Sequence, residues 1–429
     1  MRLLYPSQTA LVLGGGGAKG AYEIGAVAAL QDLGIHAGAV YGTSIGALNA
    51  AMYAQGDMDR ADELWERLRL SDLVTPESLQ LADDAEALFD HPEKLLEFIT
   101  RNAQKKGVNI APLRELMHAY IDESRLRRSG VRFGLVATKF PSMGMVQKRL
   151  EDMEEGSLIP WLLASCACFP VFPMTRIGDD RYMDGGFCDN VPVDMAIEGG
   201  AQHIIAIDIG RSLSHAQYRL RPNVIYIRAA HPLGGLLTFD PQLSRRNRAL
   251  GYNDTLRAFG RLRGTHYSFD AHDAQLQHNR ACRYLAELTQ LESRLHSDHA
   301  LTRRDEAPLF SLLEADLRPG ADAVDYFLRA LELCADIAQV NPAQVFTMET
   351  FAGELRALLP LSKAESMLDS LLGGRIGVLF SPPQPDRRLV IACLYHLLQR
   401  ESAFSALTLR TLCKFPREML CALTLREIL

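Results

Sequence analysis

Three short clusters in this chain combine residue types that can do chemistry. Gly14-Gly15-Gly16-Gly17-Ala18-Lys19-Gly20 sets four consecutive glycines ahead of a lysine. Between a strand and a helix, such a run lets successive backbone N–H groups turn into one concavity. The helix N-terminus makes that concavity more favourable to negative charge. Three anions fit a nest of this kind: a nucleotide phosphate, a dinucleotide pyrophosphate, or the oxyanion of an acyl transfer. A Walker-type phosphate loop needs Gly-Lys-Ser/Thr, whereas Lys19 follows Ala18 and precedes Gly20. Gly15, Gly17 and Gly20 match G-x-G-x-x-G literally. The next strand should then end in an acidic residue that holds a ribose, but it runs into Tyr41-Gly42-Thr43-Ser44.

The second cluster favours the oxyanion. Gly42-Thr43-Ser44-Ile45-Gly46 is G-x-S-x-G set between a strand-like and a helix-like run. A nucleophile elbow needs that context, because the tight turn lifts the serine hydroxyl out at the helix N-terminus. Five residues with three fixed positions occur by chance in glycine-rich chains. The pairing with a glycine nest on the preceding strand-to-helix turn gives the motif its weight, since nucleophile and oxyanion site arrive together. The third cluster is Asp184-Gly185-Gly186. Alone it reads as a turn.

The surrounding pattern supplies the elements that must hold these residues. Residues 9–13, 38–43, 131–138, 203–209 and 223–228 are short apolar runs of buried-strand character, and a helix pattern covers 19–33 and begins again after Ser44. This alternation predicts an α/β domain. Residues 57–129 read as amphipathic helices broken near Pro76, Pro92 and Gly107, and from about residue 241 the pattern is helical with few strand signals. A boundary is placed in the polar stretch near 270–280, giving a catalytic domain over 1–275 and a helical region over 276–429.

In this order, the three motifs resemble those of the patatin-like phospholipase family, marked by G-G-G-x-[KR]-G, G-x-S-x-G and D-G-[GA]. Gly15 to Gly20 match the first, Gly42 to Gly46 the second and Asp184 to Gly186 the third. Flanking residues agree: Ala47-Leu48-Asn49-Ala50 after the serine, Ala164-Ser165 and Phe169-Pro170-Val171-Phe172-Pro173 before the aspartate, and Asn190-Val191-Pro192-Val193 after it. The resemblance is strong over 9–210, weaker through Gly251-Tyr252-Asn253-Asp254 to about 265, and absent from 281–429. It implies a three-layer α/β/α fold with a mostly parallel sheet, and lipid acyl-ester hydrolysis by a Ser–Asp dyad. Ser44 would be the nucleophile and Asp184 its base. Gly15, Gly16 and Gly17 would form the oxyanion hole, with Lys19 and Gly20 supporting the loop. No cofactor or metal is implied. A histidine triad is the rival, with His203, His215 and His231 as its candidates, although none has a motif around it. A patatin-like scaffold that binds a protein partner through the C-terminal helices is the alternative from another class.

The rest of the chain bounds this reading. Its 429 residues are 48% apolar and 23% charged, which excludes a disordered chain, a coiled-coil rod and a collagen repeat. The net charge of −6 conceals an asymmetry: residues 1–210 carry −10, and residues 211–264, with ten arginines and two aspartates, carry +8. Arginines interleaved with apolar residues suit an anionic membrane surface, or equally a solvated helix paired with the acidic half. No nucleic-acid reading motif is present. The eight cysteines form no C-x-x-C pair, and Cys166-Ala167-Cys168 lacks partners at zinc spacing, so reduced, packed thiols are expected. Trp65 and Trp161 are read as core or pocket-lining, and Asp208 as a strand-end hydrogen-bonding group. The N-terminus reaches the glycine run without a signal-like apolar region, and no apolar stretch is long enough to span a bilayer. A cytoplasmic location is therefore expected, with membrane contact only from the surface.

Overall fold

A computed structural model describes residues 5–79, 108–210, 216–297, 309–372, 386–405, 408, 412 and 414–429. The helical reading of 80–107, with its breaks at Pro92 and Gly107, lies outside the described residues, as do Arg211 and His215. Two compact units form, Met1–Ala258 and Phe259–Leu429.

The first unit is built on a sheet whose middle strands are apolar runs with no alternation. Strand β1 (Thr9–Leu13) is buried at all five positions, as is β2 (Ala39–Thr43). A strand buried on both faces must be covered on both, which parallel sheets achieve with helices. Strands β3 (Arg132–Phe140), β7 (His203–Asp208) and β8 (Val224–Arg228) complete the parallel part, in the order β3-β2-β1-β7-β8. Strands β4 (Gly144–Arg149), β5 (Thr175–Ile177) and β6 (Asp180–Asp184) add antiparallel pairings beside β3.

The two faces are dressed by different helices. Ala10, Val12, Tyr41, Ile204 and Ala206 share one face with Val193, Met195 and Ala196 of α7 (Val193–Glu198). On the other side α2 (Ile45–Ala54) packs across β1, β2 and β3, and beside it α1 (Ala21–Asp32) packs on α8 (Pro241–Ala258). Those last two helices nearly touch backbone to backbone. A Cβ on Gly25 would lie 1.9 Å from the Arg248 carbonyl oxygen, and one on Gly251 would lie 1.9 Å from that of Tyr22. Between β2 and β7 the chain adds α3 (Met58–Arg67), α4 (Ala111–Tyr120), α5 (Glu123–Arg128) and α6 (Leu158–Ser165).

Several arginines of the basic segment are engaged within this unit. Arg248 bridges Asp62 at 2.7 Å and Glu66 at 2.8 Å, Arg257 meets the buried Asp254 at 2.6 Å, and Arg228 lies 3.7 Å from Asp208. The paired-helix reading therefore accounts for part of the +8 stretch.

The second unit is mainly helical. Helix α12 (Ala323–Ala338) begins with a capping box between Asp322 and Asp325, and its apolar face joins residues of α15 (Arg387–Arg400) and α16 (Pro416–Ile428) in one core. Around them lie α9 (Ala271–Leu276), α10 (His278–Ser297), α11 (Ser311–Glu314), α13 (Met348–Leu358) and α14 (Leu361–Leu372). A small sheet of β9 (Leu262–Arg263), β10 (Ser268–Asp270) and β11 (Val345–Phe346) was not legible in a helical pattern, because strands of two or three residues show no period. The buried Glu332 carboxylate accepts the backbone N–H groups of Thr265, His266 and Tyr267. Among the described residues no helix is long and apolar enough to cross a membrane.

Candidate active site

The serine motif is a strained elbow. Ser44 follows β2 and caps α2 with φ 55° and ψ −127°, a left-handed backbone that a non-glycine residue adopts at a cost of ~1–3 kcal/mol. Its flanks must be glycine. A Cβ on Gly46 would sit 2.4 Å from the Leu13 carbonyl oxygen, and one on Gly42 would sit 2.3 Å from that of Gly46. The backbone N–H of Ser44 donates to Ser165 Oγ at 2.9 Å, and Ser165 in turn donates to the Val136 carbonyl at 2.7 Å. Ser165 thus fixes the elbow from the end of α6. It stood in the sequence only as a flanking residue.

Ser44 and Asp184, 140 positions apart, meet directly. Ser44 Oγ donates to Asp184 Oδ2 at 2.6 Å. The other carboxylate oxygen accepts the Gly186 N–H at 2.8 Å, and the Asp184 backbone is held by Thr138 Oγ1 and by the Ala167 carbonyl. Asp184 ends β6, whose register with β3 pairs it with Ala137. That register sets it beside the end of β2, where Thr43 pairs with Val136. Asp184 is only 5% exposed. Burial raises its pKa to about 6, against the pull of its hydrogen bonds from Ser44 and Gly186.

The glycine run lies beside the elbow. The Gly14 N–H donates to Ile207, and the Gly15 N–H to the Asn190 carbonyl at 3.0 Å; Asn190 Nδ2 returns a bond to Gly15 O. Of the three glycines read as an oxyanion hole, Gly15 thus has its N–H occupied. The N–H groups of Gly16 and Gly17 make no hydrogen bond among the described residues, and Gly17 takes φ 58° at the start of a short 3-10 turn, Gly17–Gly20. Lys19 is buried in that turn, with its backbone N–H on Gly16 O, and Gly20 packs against Trp65 and Ile45. Asn190 was quoted in the sequence only for its position after the aspartate; here it ties the third motif to the first.

An apolar cavity opens from this point. Ser44, Asp184 and Gly17 share its wall with Leu48 and Met52 of α2, Leu64 and Trp65 of α3, Leu113 and Leu116 of α4, and Leu236, Leu237 and Phe239. Cys166 and Cys168 also line it, and burial pushes both thiols far up, so neither is a thiolate nucleophile. Trp65 is a wall residue; Trp161 instead packs edge-on against Tyr182.

No histidine lines this cavity among the described residues. His203 opens β7 opposite Thr9, at the other end of the strands from Ser44. Four residues of strand lie between it and Asp208, a separation of roughly 16 Å. His231 acts on Asp254. Asp208 accepts from Gly210 N–H and Tyr226 OH, each at 2.8 Å. Among the described residues no group of acidic, cysteine and histidine side chains could hold a metal ion.

Comparison with known proteins gives a family likeness over the first half of the chain. The family model described as patatin-like phospholipase matches residues 11–197. "Patatin-like phospholipase domain-containing protein 6" of Homo sapiens is 29% identical over 216 residues, 49% of this chain and 14% of that protein. "Lysophospholipase NTE1" of Candida albicans is 24% identical over 213 residues, again 49% of this chain and 14% of its own length. The match therefore spans a small part of those relatives. Among solved structures, VipD from Legionella pneumophila is similar with a TM-score of 0.41 at 16% identity, covering 90% of each chain.

Proposed function

We propose that this chain, whose residues 11–197 form a patatin-like domain, hydrolyses acyl esters of lipids through Ser44 and Asp184. The observation that carries the proposal is the 2.6 Å hydrogen bond between the two side chains at the wall of an apolar cavity. Ser44 Oγ attacks the ester carbonyl carbon while its proton passes to Asp184 Oδ2. The carbonyl π electrons move to oxygen, and the N–H groups of Gly16 and Gly17 receive the oxyanion. Collapse breaks the bond to the alkoxy oxygen, which takes the proton back from Asp184 and leaves as the alcohol. Water then attacks the acyl-enzyme, giving its proton to Asp184, and collapse returns that proton to Ser44 as the fatty acid departs. Gly15, Lys19 and Gly20 shape the loop. In this reading Gly15 supports the hole and donates nothing to it.

A carboxylate is a weak base for a serine hydroxyl. Two features make it serviceable here. Its pKa lies near 6, so it is mostly ionised at neutral pH yet more basic than a solvated aspartate. The contact is already made in the resting state, so little reorganisation precedes proton transfer.

We place catalysis within residues 1–275 and leave residues 276–429 outside the chemistry. Peripheral contact with an anionic lipid surface through 211–264 is the finer part of the reading, and the exposed Arg245 on α8 supports it. The test is a panel of phospholipid, lysophospholipid and simple acyl-ester substrates, in vesicles with and without anionic lipid. The wild type should release fatty acid, and Ser44→Ala and Asp184→Asn should fall by at least about a thousandfold. Retained hydrolysis in Ser44→Ala would overturn the nucleophile. Rates indifferent to anionic lipid would remove the membrane contact.

A further inference from the structure

One buried acid near the site takes no part in the proton transfers above. Glu23 lies in the first turn of α1, directly after the glycine loop, and is fully buried. Its Oε2 accepts from Asn49 Nδ2 at 2.8 Å. Asn49 belongs to α2, five residues after the nucleophile. The same amide nitrogen donates to the Gly20 carbonyl at 3.2 Å, and Asn49 Oδ1 accepts the Trp65 indole N–H at 3.1 Å. Its other oxygen, Oε1, has no hydrogen-bond partner among the described residues. Through Asn49 the acid therefore reaches the last glycine of the loop.

We propose that Glu23 is a positioning residue for the oxyanion loop, fixing through Asn49 the spacing between the Gly16 and Gly17 N–H groups and the helix that carries Ser44. The inference rests on the hydrolase reading and adds a residue to it. Three features support the role. The strut joins the two catalytic segments by side-chain hydrogen bonds in a dry environment, where unmade bonds are costly and made ones are rigid. It is braced laterally, because the Trp65 ring that bonds Asn49 also fills the space against Gly20, where a Cβ would meet the ring at 2.7 Å. Finally, the acid is suited to being neutral. Burial drives its carboxyl well above the usual carboxylate range, opposed by the Asn49 amide, and the buried Asp208 at the end of β7 adds to the rise. A neutral carboxyl is matched in shape and charge by a glutamine.

The experiment compares full-length wild type, Glu23→Gln and Glu23→Met. Methionine keeps the volume without the hydrogen bond. Active sites are titrated with an organophosphonate, so kcat is expressed per competent serine. KM for a short acyl ester and Ki for a trifluoromethyl ketone, which forms a tetrahedral oxyanion adduct, are measured on the same samples. Glu23→Met should lower kcat by on the order of tenfold or more, as supporting-residue losses do. Ki should rise by a similar factor while KM stays within about twofold, because only the transition state and its mimic use the oxyanion donors. Glu23→Gln should restore kcat and Ki to within about threefold of wild type. Unchanged kcat per titrated site in Glu23→Met, a change confined to KM, or a glutamine variant as impaired as the methionine one would each overturn the proposal. A wild type that hydrolyses no ester would remove the underlying reading as well, and the wild-type arm alone reveals that case.

Discussion

A carboxylic acid buried beside a serine has opposite consequences for stability and for catalysis. Asp184 is raised from 3.8 to about 6 because ionising it inside the fold is unfavourable. The native state therefore holds this proton more tightly than the unfolded chain. The resulting stability is fully present below about pH 3.8 and is lost as pH rises through about 6. Two pKa units correspond to about 3 kcal/mol at most. Asp184→Asn, neutral at every pH and able to keep the Gly186 contact, should thus melt higher than wild type at pH 7–8 while losing activity. The difference should vanish near pH 4. A variant that melts lower than wild type at pH 8 would contradict this account. Residue-scale roles were legible only where a motif spells them. Ser44 and Asp184 were readable because each sits in a glycine-framed signature. Ser165, Asn190, Asn49 and Glu23 were not, because their partners lie 16 to 175 positions away and no local pattern encodes those contacts.

At the scale of elements, close helix packing makes its own test. Glycine within a helix costs ~1 kcal/mol relative to alanine on propensity alone, so Gly→Ala in α8 would ordinarily stabilise. At Gly251 the added Cβ would fall 1.9 Å from the Tyr22 carbonyl oxygen, where α8 crosses α1. Overpacking of this kind costs typically ~1–3 kcal/mol, and more when backbone is the obstacle. Gly251→Ala should therefore lower the urea midpoint. Gly353→Ala in α13, where a Cβ meets nothing within 4 Å, should leave the midpoint unchanged or raise it. Equal effects at both sites would show that propensity rather than contact decides. The strands divide in the same way between what sequence shows and what packing decides. β1, β2, β3, β7 and β8 are continuous apolar runs and were readable at near-correct bounds. β4, β5 and β6 were not: β4 is exposed or half-buried along its length, β5 has three residues, and β6 (Asp180–Asp184) carries three charged residues in five. The strand that carries Asp184 to Ser44 was therefore invisible as a strand, although its terminal motif was plain.

For the whole molecule, the charge and the cores are each local properties. The basic stretch is partly neutralised by Asp62, Glu66 and Asp208 of the first unit, so the formal +8 overstates what is presented to solvent. The second unit has a core of its own, centred on α12, in which Phe327 is fully buried. Phe327→Ala should cost the second unit about 3–5 kcal/mol. Phosphonate labelling of Ser44 in the folded sample should remain at full stoichiometry, since the described residues that line the Ser44 cavity all belong to the first unit. Loss of labelling in folded Phe327→Ala would assign the second unit a part in the chemistry.

The central claim is that Ser44 is the nucleophile and that ionised Asp184 is its base. The most direct measurement is the rate of organophosphonate labelling as a function of pH, with the adduct located by peptide mass spectrometry. A single adduct on Ser44 is expected, with a rate that rises as pH increases through about 6 and then levels. An adduct on another residue, or a rate on Ser44 that is flat from pH 4 to 8, would contradict it.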